Sequence, residues 1–505
     1  MEESTALLSY LTISILFFFF YLLLRRPTTT NHCPYPNPIL GNLLPFFRNR
    51  HRFLDWAVDL FHHSPTSTIQ VITPLSFSNG VATANPLVVD HILRSNFPKY
   101  IKGHRIRSAL CDLVGDGLLA ADGSLWFHQR KIASREFTTR SLRSFIADVV
   151  KSHLEDRLLP LLSSAADSVV DFQDLLRRFA FDNICAVAFG TDPCSLLQNQ
   201  NQNRHQSFID AFDEAVEISY ARLFAPLPWI WKAKKILNLG SERQLRNALN
   251  VIDDYAMRIV ESRKESREVK KQDLLSRFMV AMEEDGNELG AMFENPMRKR
   301  RFLRDVVVSF VLAGKDSTSS GLTWFFWLLS KNPGCKTRIY DEIAQQQGGE
   351  EEESKGMHYL HAAITETLRL YPPVPIDSRV AAVDDVLPDG TKVKAGWFTD
   401  YSAYAMGRSE EIWGPEKEEF LPERWLDAKG EFAGADAARF PVFHAGPRSC
   451  LGKEMAYMQM KTVAVAVMRR FEVEPATEEK PGPPYEVAVT LRMKGGFPVR
   501  IKRRA

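Results

Sequence analysis

Apolar residues recur at spacings of three and four through VVKSHLEDRLLPLL (149–162), FIDAFDEAVEISYARLF (208–224) and LRNALNVIDDYAMRIVESRKE (245–265). That period predicts amphipathic helices. RFLRDVVVSFVLAGKDSTSSGLTWFFWLLSKNP, from Arg301, is apolar almost all round until Pro333, as befits a helix in the middle of a large core. Lys315 and Asp316 at its centre argue against a membrane span. Alternating β-branched runs predict hairpins around Asn79-Gly80 in 69–85, around Asp389-Gly390 in 385–405, and in the tail at 487–502. Polar stretches at 198–206, 262–272, 283–290 and 345–356 read as exposed loops or solvated helix ends. The pattern predicts one mainly α domain with a small β region, and no internal repeat.

STALLSYLTISILFFFFYLLL (4–24) is different: 21 residues without a charge. A helix of about 20 apolar residues spans the hydrocarbon core. Glu2 and Glu3 precede it and Arg25 and Arg26 follow, which places the body on the cytosolic side. The order of charges and the lack of a small-residue cleavage site favour an anchor over a signal peptide. Pro27, Pro34, Pro36 and Pro38 make 25–42 a hinge before the body at 43–505.

Composition adds limits. The chain has 505 residues, is 45% hydrophobic and 25% charged, and carries a formal net charge of +2. That balance excludes bulk nucleic-acid binding. The six cysteines are scattered without a CxxC pair, which excludes a disulfide framework and a zinc site.

One cysteine stands out. FPVFHAGPRSCLGKE (440–454) places Cys450 in a Gly/Pro turn just before a helical run. Glycine permits close approach and positive φ, and a helix start favours an anion. A thiolate metal ligand suits this setting. From the loop alone, His444 leaves a Cys–His nucleophile open. Three distant segments add to it. ITETLRLYPPVP (364–375) sets Glu366 and Arg369 three apart on one helix face. FLPERW (420–425) offers Arg424 as a third charge. AGKDST (313–318) puts an acid and two hydroxyls inside the apolar helix, suggesting a proton relay or ligand site.

Together these resemble the cytochrome P450 haem-thiolate monooxygenases. The family's FxxGxRxCxG loop is matched by Phe443, Gly446, Arg448, Cys450 and Gly452. Its ExxR pair falls on Glu366 and Arg369, with Arg424 as third member, and its WxxxR helix on Trp126 and Arg130. Its oxygen-activation motif falls on Ala313, Gly314, Lys315, Asp316 and Ser317, with serine where threonine is usual. The resemblance implies the cytochrome P450 fold with a single N-terminal transmembrane helix. It implies haem b, O2, and electrons from NADPH through a membrane-bound NADPH–cytochrome P450 reductase, with cytochrome b5 as a further partner. Cys450 would be the iron ligand, whose thiolate favours O–O cleavage. Arg448, Trp126, Arg130 and Arg379 would hold the propionates. Asp316 and Ser317 would supply protons, with Thr318 the next hydroxyl about 100° round the helix. Gly314 would open the helix for oxygen. Glu366, Arg369 and Arg424 would be structural.

RNRHRFLDW (48–56), LTWFFWLLSKNP (322–333), DDVLPDGTKVKAGW (384–397), YAMGRSEEIWG (404–414) and PVFHAGPRSCLGKEMAYMQMK (441–461) look most like the plant fatty-acid hydroxylase clan. That implies terminal (ω) hydroxylation of fatty acids or related oxylipins, with jasmonoyl-isoleucine and sterol side chains as alternative lipophilic substrates. Rearrangement of hydroperoxides without reductase, or a haem protein without turnover, are the rivals from other classes. Substrate contacts by resemblance are Ile106, Leu110, Phe224, Ala313, Val374, Ile376 and Phe497. Lys102, Arg105 and Arg107 are candidate anchors for a substrate's polar head. The expected address is the endoplasmic reticulum membrane, single-pass, with the catalytic domain in the cytosol.

Overall fold

The computed structural model describes residues 36–504 except 38, 75–77, 139, 167, 198–201, 226, 266–272, 285, 346–355 and 478–481, with 136–144 and 202–206 described as backbone. The apolar run at 4–24 and most of the hinge lie outside these residues. Among the described residues no helix is long and apolar enough to cross a membrane. The hinge's last residues close a turn, Asn37 and Gly41 exchanging backbone hydrogen bonds, and Asn42 N–H reaches Ile72 O at 2.8 Å.

Helices dominate. Those that build the site are α1 (Gly103–Val114), α2 (Gly123–Thr138), α3 (Phe172–Phe189), α4 (Gln202–Leu223), α5 (Pro228–Leu237), α6 (Ser241–Glu265), α7 (Pro296–Lys331), α8 (His358–Leu370) and α9 (Lys453–Arg470). The periodic runs at 208–224 and 245–265 fall in α4 and α6. The run at 149–162 is interrupted: a helix to His153, a π turn over Leu154–Leu158, then a short helix from Leu159. Pro160 explains the break, since its ring crowds the carbonyl four residues back and it donates no hydrogen bond.

α7 is 36 residues long, roughly 54 Å at 1.5 Å per residue. It starts earlier than its apolar run. The Asn295 side chain accepts from Arg298 N–H at 2.8 Å, and Pro296 fills the first position. Its N-terminal half shares a buried cluster with α3, α4 and α6, including Phe181, Phe212, Ile252 and Val311. Its C-terminal half shares another with α8, α9 and the tail strands, including Trp324, Leu360, Val463 and Val499. A third cluster fills the space beneath the N-terminal sheet.

That sheet runs β1 (Thr68–Val71), β2 (Gly80–Thr83), β8 (Phe398–Tyr401), β5 (Asp377–Ala381), β3 (Tyr100–Ile101). β2 and β8 are parallel and the other pairs antiparallel. The first expected hairpin forms, but Gly80 pairs with Val71, so the loop is 72–79 rather than a two-residue turn. Gly80 is glycine for another reason: a Cβ there would lie 2.4 Å from Phe398. The second hairpin forms as β6 (Asp385–Val386) with β7 (Lys392–Val393).

The tail departs from expectation. Its hairpin is β10 (Tyr485–Val487) with β11 (Leu491–Met493). Gly495 and Gly496, both at positive φ, turn the chain away. β12 (Pro498–Arg503) then pairs with β9 (Phe471–Pro475) and β4 (Val169–Asp171).

Candidate active site

The cysteine loop folds back on itself. Two single turns, Pro441–Phe443 and Gly446–Arg448, flank His444 and Ala445, and Cys450 N–H closes the loop on Phe443 O at 2.8 Å. Gly446 has φ +66, and a Cβ there would lie 1.9 Å from Leu93 O. Only glycine satisfies both. Gly452 caps the start of α9, and a Cβ there would lie 3.9 Å from the Cys450 sulfur. Cys450 is exposed along one side, while the surrounding protein raises its thiol pKa by burial. The Gly452 N–H, Arg130 and Lys453 oppose that and favour the thiolate.

A cluster of cations surrounds this loop. Trp126 and Arg130 lie four apart on α2, hence on one face. The Arg448 guanidinium stacks over the Trp126 ring at 4.5 Å and donates to Ala121 O at 2.7 Å and Asp122 Oδ1 at 2.9 Å. Arg379 on β5 donates to Asp377 Oδ2 at 2.5 Å, and Lys102 to Asp377 Oδ1 at 2.9 Å. Burial, then the neighbouring Arg379, lowers Lys102 to about 8 and Arg448 to about 10. Lys102, a candidate substrate anchor in the sequence, is therefore committed to this cluster.

Here four cations, Lys102, Arg130, Arg379 and Arg448, face two carboxylates, Asp122 and Asp377. The Nε–H groups of Arg379 and Arg448 are both buried without a partner among the described residues. Orphaned buried guanidinium donors are costly, and they match an anionic ligand. A haem, with two carboxylates and an iron that takes a thiolate, fits this donor set. Cys450 would be its ligand; Arg379, Arg448 and Arg130 would hold its carboxylates, with Trp126 supporting Arg448. Phe443 packs its ring against Tyr457 at 5.2 Å and braces the loop from beneath.

His444 does not pair with the thiol. Its Nδ1 meets the Tyr401 hydroxyl at 2.6 Å and lies 3.6 Å from Asp377. Burial lowers it to about 4, so the ring is neutral and the Cys–His nucleophile has no support in the geometry.

On α7, Ala313 and Ser317 share one face, and Ser317 Oγ donates to Ala313 O at 2.7 Å. At Gly314 a Cβ would lie 2.5 Å from Ile184, so the glycine admits close packing of α3. Asp316 is turned to another side. It accepts from Lys315 Nζ at 2.8 Å, Arg177 Nε at 3.2 Å and Arg492 Nη2 at 2.8 Å. Asp213 on α4 shares all three cations, meeting Lys315 at 2.7 Å and Arg492 at 3.3 Å and pairing closely with Arg177. Burial raises Asp316, but Lys315, Arg492 and Arg177 together hold it well below the carboxylate range. Asp316 and Ser317 thus stand apart, and Thr318 is buried. Arg177, Asp213 and Arg492 escaped the sequence reading, because no local pattern links 177, 213 and 492.

Glu366, itself fully buried, is the acceptor for a charge network. Arg369 Nε and Nη2 donate at 2.7 and 2.8 Å, Arg424 Nε at 3.1 Å, Leu421 N–H at 3.0 Å and Trp425 Nε1 at 2.9 Å. Arg369 also reaches Gly407 O, Lys417 O and Glu419 O, tying α8 to the 407–425 meander. The trio is brought together, with Trp425 as a fourth side chain.

The substrate candidates divide. Ile106 is buried on α1; Leu110 is half-buried against the cluster that holds Val311 and Leu312. Phe224, at the end of α4, packs on Tyr220 at 5.0 Å and Phe53 at 5.8 Å. Val374 and Ile376 are half-buried before β5, and Ala313 is exposed on α7. Phe497 lies buried in the core, its N–H on Asp171 Oδ1 at 2.9 Å and its carbonyl on Phe172 N–H. The tail segment that reaches α7 is instead the β10–β11 turn. Ser320 Oγ and Trp324 Nε1 both donate to Leu491 O, and Val489 packs with the cluster around Val311. Arg107 is a surface residue paired with Asp116 at 3.0 Å.

Comparison with known proteins agrees with this geometry. The family model described as Cytochrome P450 matches residues 31–497. The chain is 45% identical over 492 residues to Cytochrome P450 94A2 of Vicia sativa, covering 94% of this chain and 92% of that one. It is 44% identical to Cytochrome P450 94C1 of Arabidopsis thaliana, over 89% of each chain. It is 42% identical to Cytochrome P450 94B1 of the same plant, over 93% of this chain and 91% of that one. The chain belongs to the cytochrome P450 family and is a haem-dependent monooxygenase.

Proposed function

We propose that this enzyme hydroxylates the terminal carbon of fatty acids or related oxylipins, taking electrons from NADPH through a membrane-bound reductase. The observation that carries the oxygenase chemistry is Cys450 beside two orphaned, buried guanidinium Nε–H groups. The fatty-acid class rests on the whole-chain likeness to the plant relatives above and on the clan-like stretches in the sequence.

Haem, when bound, would supply reductive activation of O2 and insertion of one oxygen atom into a C–H bond. The chain's own part is positional. Arg379, Arg448, Arg130 and Trp126 hold the cofactor's edge, and Gly452 N–H steadies the sulfur. Ala313 gives a small surface on the long helix. Ser317 Oγ holds a proton there, donated to Ala313 O until a substrate or water takes its place. Asp316 is the acid nearest in sequence; releasing it from Arg492 would let its carboxyl exchange protons with that hydroxyl.

A membrane setting fits the exposed surface as well as the apolar run at 4–24. α5 exposes Trp229, Ile230, Ile236 and Leu237, interleaved with Lys232, Lys234 and Lys235. Apolar and basic residues together suit a lipid interface. The endoplasmic reticulum, a reductase, and cytochrome b5 as auxiliary donor follow from this reading.

The test is product analysis from microsomes holding this enzyme and a plant reductase. A fatty-acid series, jasmonoyl-isoleucine and a hydroxylated cholesterol are offered with and without NADPH. NADPH-dependent terminal hydroxylation of the fatty acids is expected. Turnover of hydroperoxides without NADPH would sink the monooxygenase reading; turnover of only the conjugate or the sterol would move the substrate class.

A further inference from the structure

Of the three basic residues near the start of α1, Lys102 is held by Asp377 and Arg107 by Asp116 at the surface. Arg105 is different. It donates from Nη1 to Ser378 Oγ at 3.1 Å and from Nη2 to Leu223 O at 3.0 Å. Two of the five N–H directions of its guanidinium are thus used. Its plane lies over the Phe398 ring at 4.3 Å, and Asp400 is at 3.6 Å, beyond a direct hydrogen bond. The side chain is 21% exposed, so it is enclosed without being sealed.

Its surroundings are those of a recognition site. Ser378 and Asp400 are paired across β5 and β8 and hydrogen-bonded to each other, on the strand face opposite Asp377 and Arg379. The cation is therefore separate from the cluster beside Cys450. Leu223 ends α4, next to Phe224. Tyr220, one turn earlier, packs its ring on Phe224 at 5.0 Å and is within electrostatic reach of Arg105 and Asp400. Burial raises the Asp400 carboxyl, and Arg105 is the first of the charges that oppose this. From Arg105 the apolar face of α1 continues through Ile106 to Leu110, about 7.5 Å along the axis, where Leu110 meets the cluster of Val311 and Leu312 just before Ala313.

We propose that Arg105, with the Tyr220 hydroxyl, anchors the carboxylate of a long-chain substrate whose apolar tail runs along α1 toward Ala313. This rests on the fatty-acid reading above and makes Arg105 a specificity residue for the head group.

The test is equilibrium binding to the haem-loaded enzyme, followed by the shift in its main absorption band. Dodecanoic acid is compared with its methyl ester, in wild type, Arg105→Met, Arg105→Lys and Tyr220→Phe. Arg105→Met is expected to weaken acid binding about 10- to 100-fold, the range for a hydrogen bond to a charged group, while the ester changes less than about threefold. Arg105→Lys should recover part of the loss, and Tyr220→Phe should weaken the acid alone. Should Arg105→Met not retain haem, Arg105→Lys and Tyr220→Phe are judged by the same acid-against-ester criterion. Acid and ester weakening together, or acid binding unchanged, overturns the anchor while leaving the fatty-acid reading intact. Failure of the wild type to bind the acid overturns both.

Discussion

Arg492 Nη2 donates to Asp316 Oδ2 at 2.8 Å, so a strand of the C-terminal tail holds the acid of the central helix. With Lys315 and Arg177 it makes three cations around Asp316 and Asp213. On the proposed role, Asp316→Asn should lower kcat about 100-fold or more, with NADPH consumption falling less than product. Arg492→Met removes one cation, so the Asp316 pKa rises and the acid limb of the pH–rate profile moves to higher pH. Profiles of product against NADPH for the two variants check this. An unchanged acid limb in Arg492→Met would show that Arg492 does not tune the acid.

The same depression is a stability statement. Asp316 is held below its unfolded value of about 3.9, so its ionisation favours the folded state above that pH, and the contribution is lost as pH falls below it. His444 works at higher pH. Its folded value is about 4 against about 6.5 unfolded, so its stabilisation is complete above 6.5 and lost as pH falls toward 4. Replacing His444 by Gln should flatten the decline in melting temperature between pH 6.5 and 4. A wild-type decline that persists in the variant would assign it elsewhere.

How far the sequence carried depended on range. Cys450, Gly446 and the Glu366–Arg369 pair were legible because each is set within one short segment. α7 was legible from its unbroken apolar run. Gly80, Phe497 and Gly314 were not, since each is decided by a distant partner: Phe398, Asp171 with Phe172, and Ile184. Lys102 was read as a candidate anchor for a substrate's head because its partner Asp377 lies 275 residues away. Asp316 looked like a free relay because two of the three cations that bind it, Arg177 and Arg492, lie on α3 and β11.

Glu366 and Arg424 should differ sharply on truncation. Glu366→Ala leaves the Arg369 guanidinium buried without its carboxylate, which costs about 3–5 kcal/mol and is expected to prevent folding. Arg424 is partly exposed, and its loss leaves Glu366 still bound by Arg369 and Trp425. Arg424→Ala should fold with a lower midpoint in urea. Equal losses from both would show that the three groups act as one unit.

Gly446→Ala forces positive φ on a residue with a side chain, which costs roughly 1–2 kcal/mol before any clash. The added Cβ also meets Leu93 O. The cysteine loop is therefore expected to shift while the helices persist. Far-ultraviolet dichroism should remain, and the carbon-monoxide difference spectrum that reports the thiolate ligand should be lost. Retention of that spectrum would mean that the segment at 91–95 yields instead.

Cofactor retention separates the cations. Arg379 and Arg448 each keep a buried Nε–H with no partner among the described residues, so each would give the haem carboxylates a charge-assisted hydrogen bond. Such bonds contribute about 1.5–3 kcal/mol, so Arg379→Met and Arg448→Met should each speed haem loss about 10- to 100-fold. Trp126→Phe keeps an aromatic face beneath Arg448 and should have a smaller effect. The measurement is the rate of haem transfer to apomyoglobin, with haem content per chain as a second readout. If Arg379→Met matches wild type, its guanidinium only neutralises Asp377, and the carboxylates must be held by Arg448 and Arg130 instead.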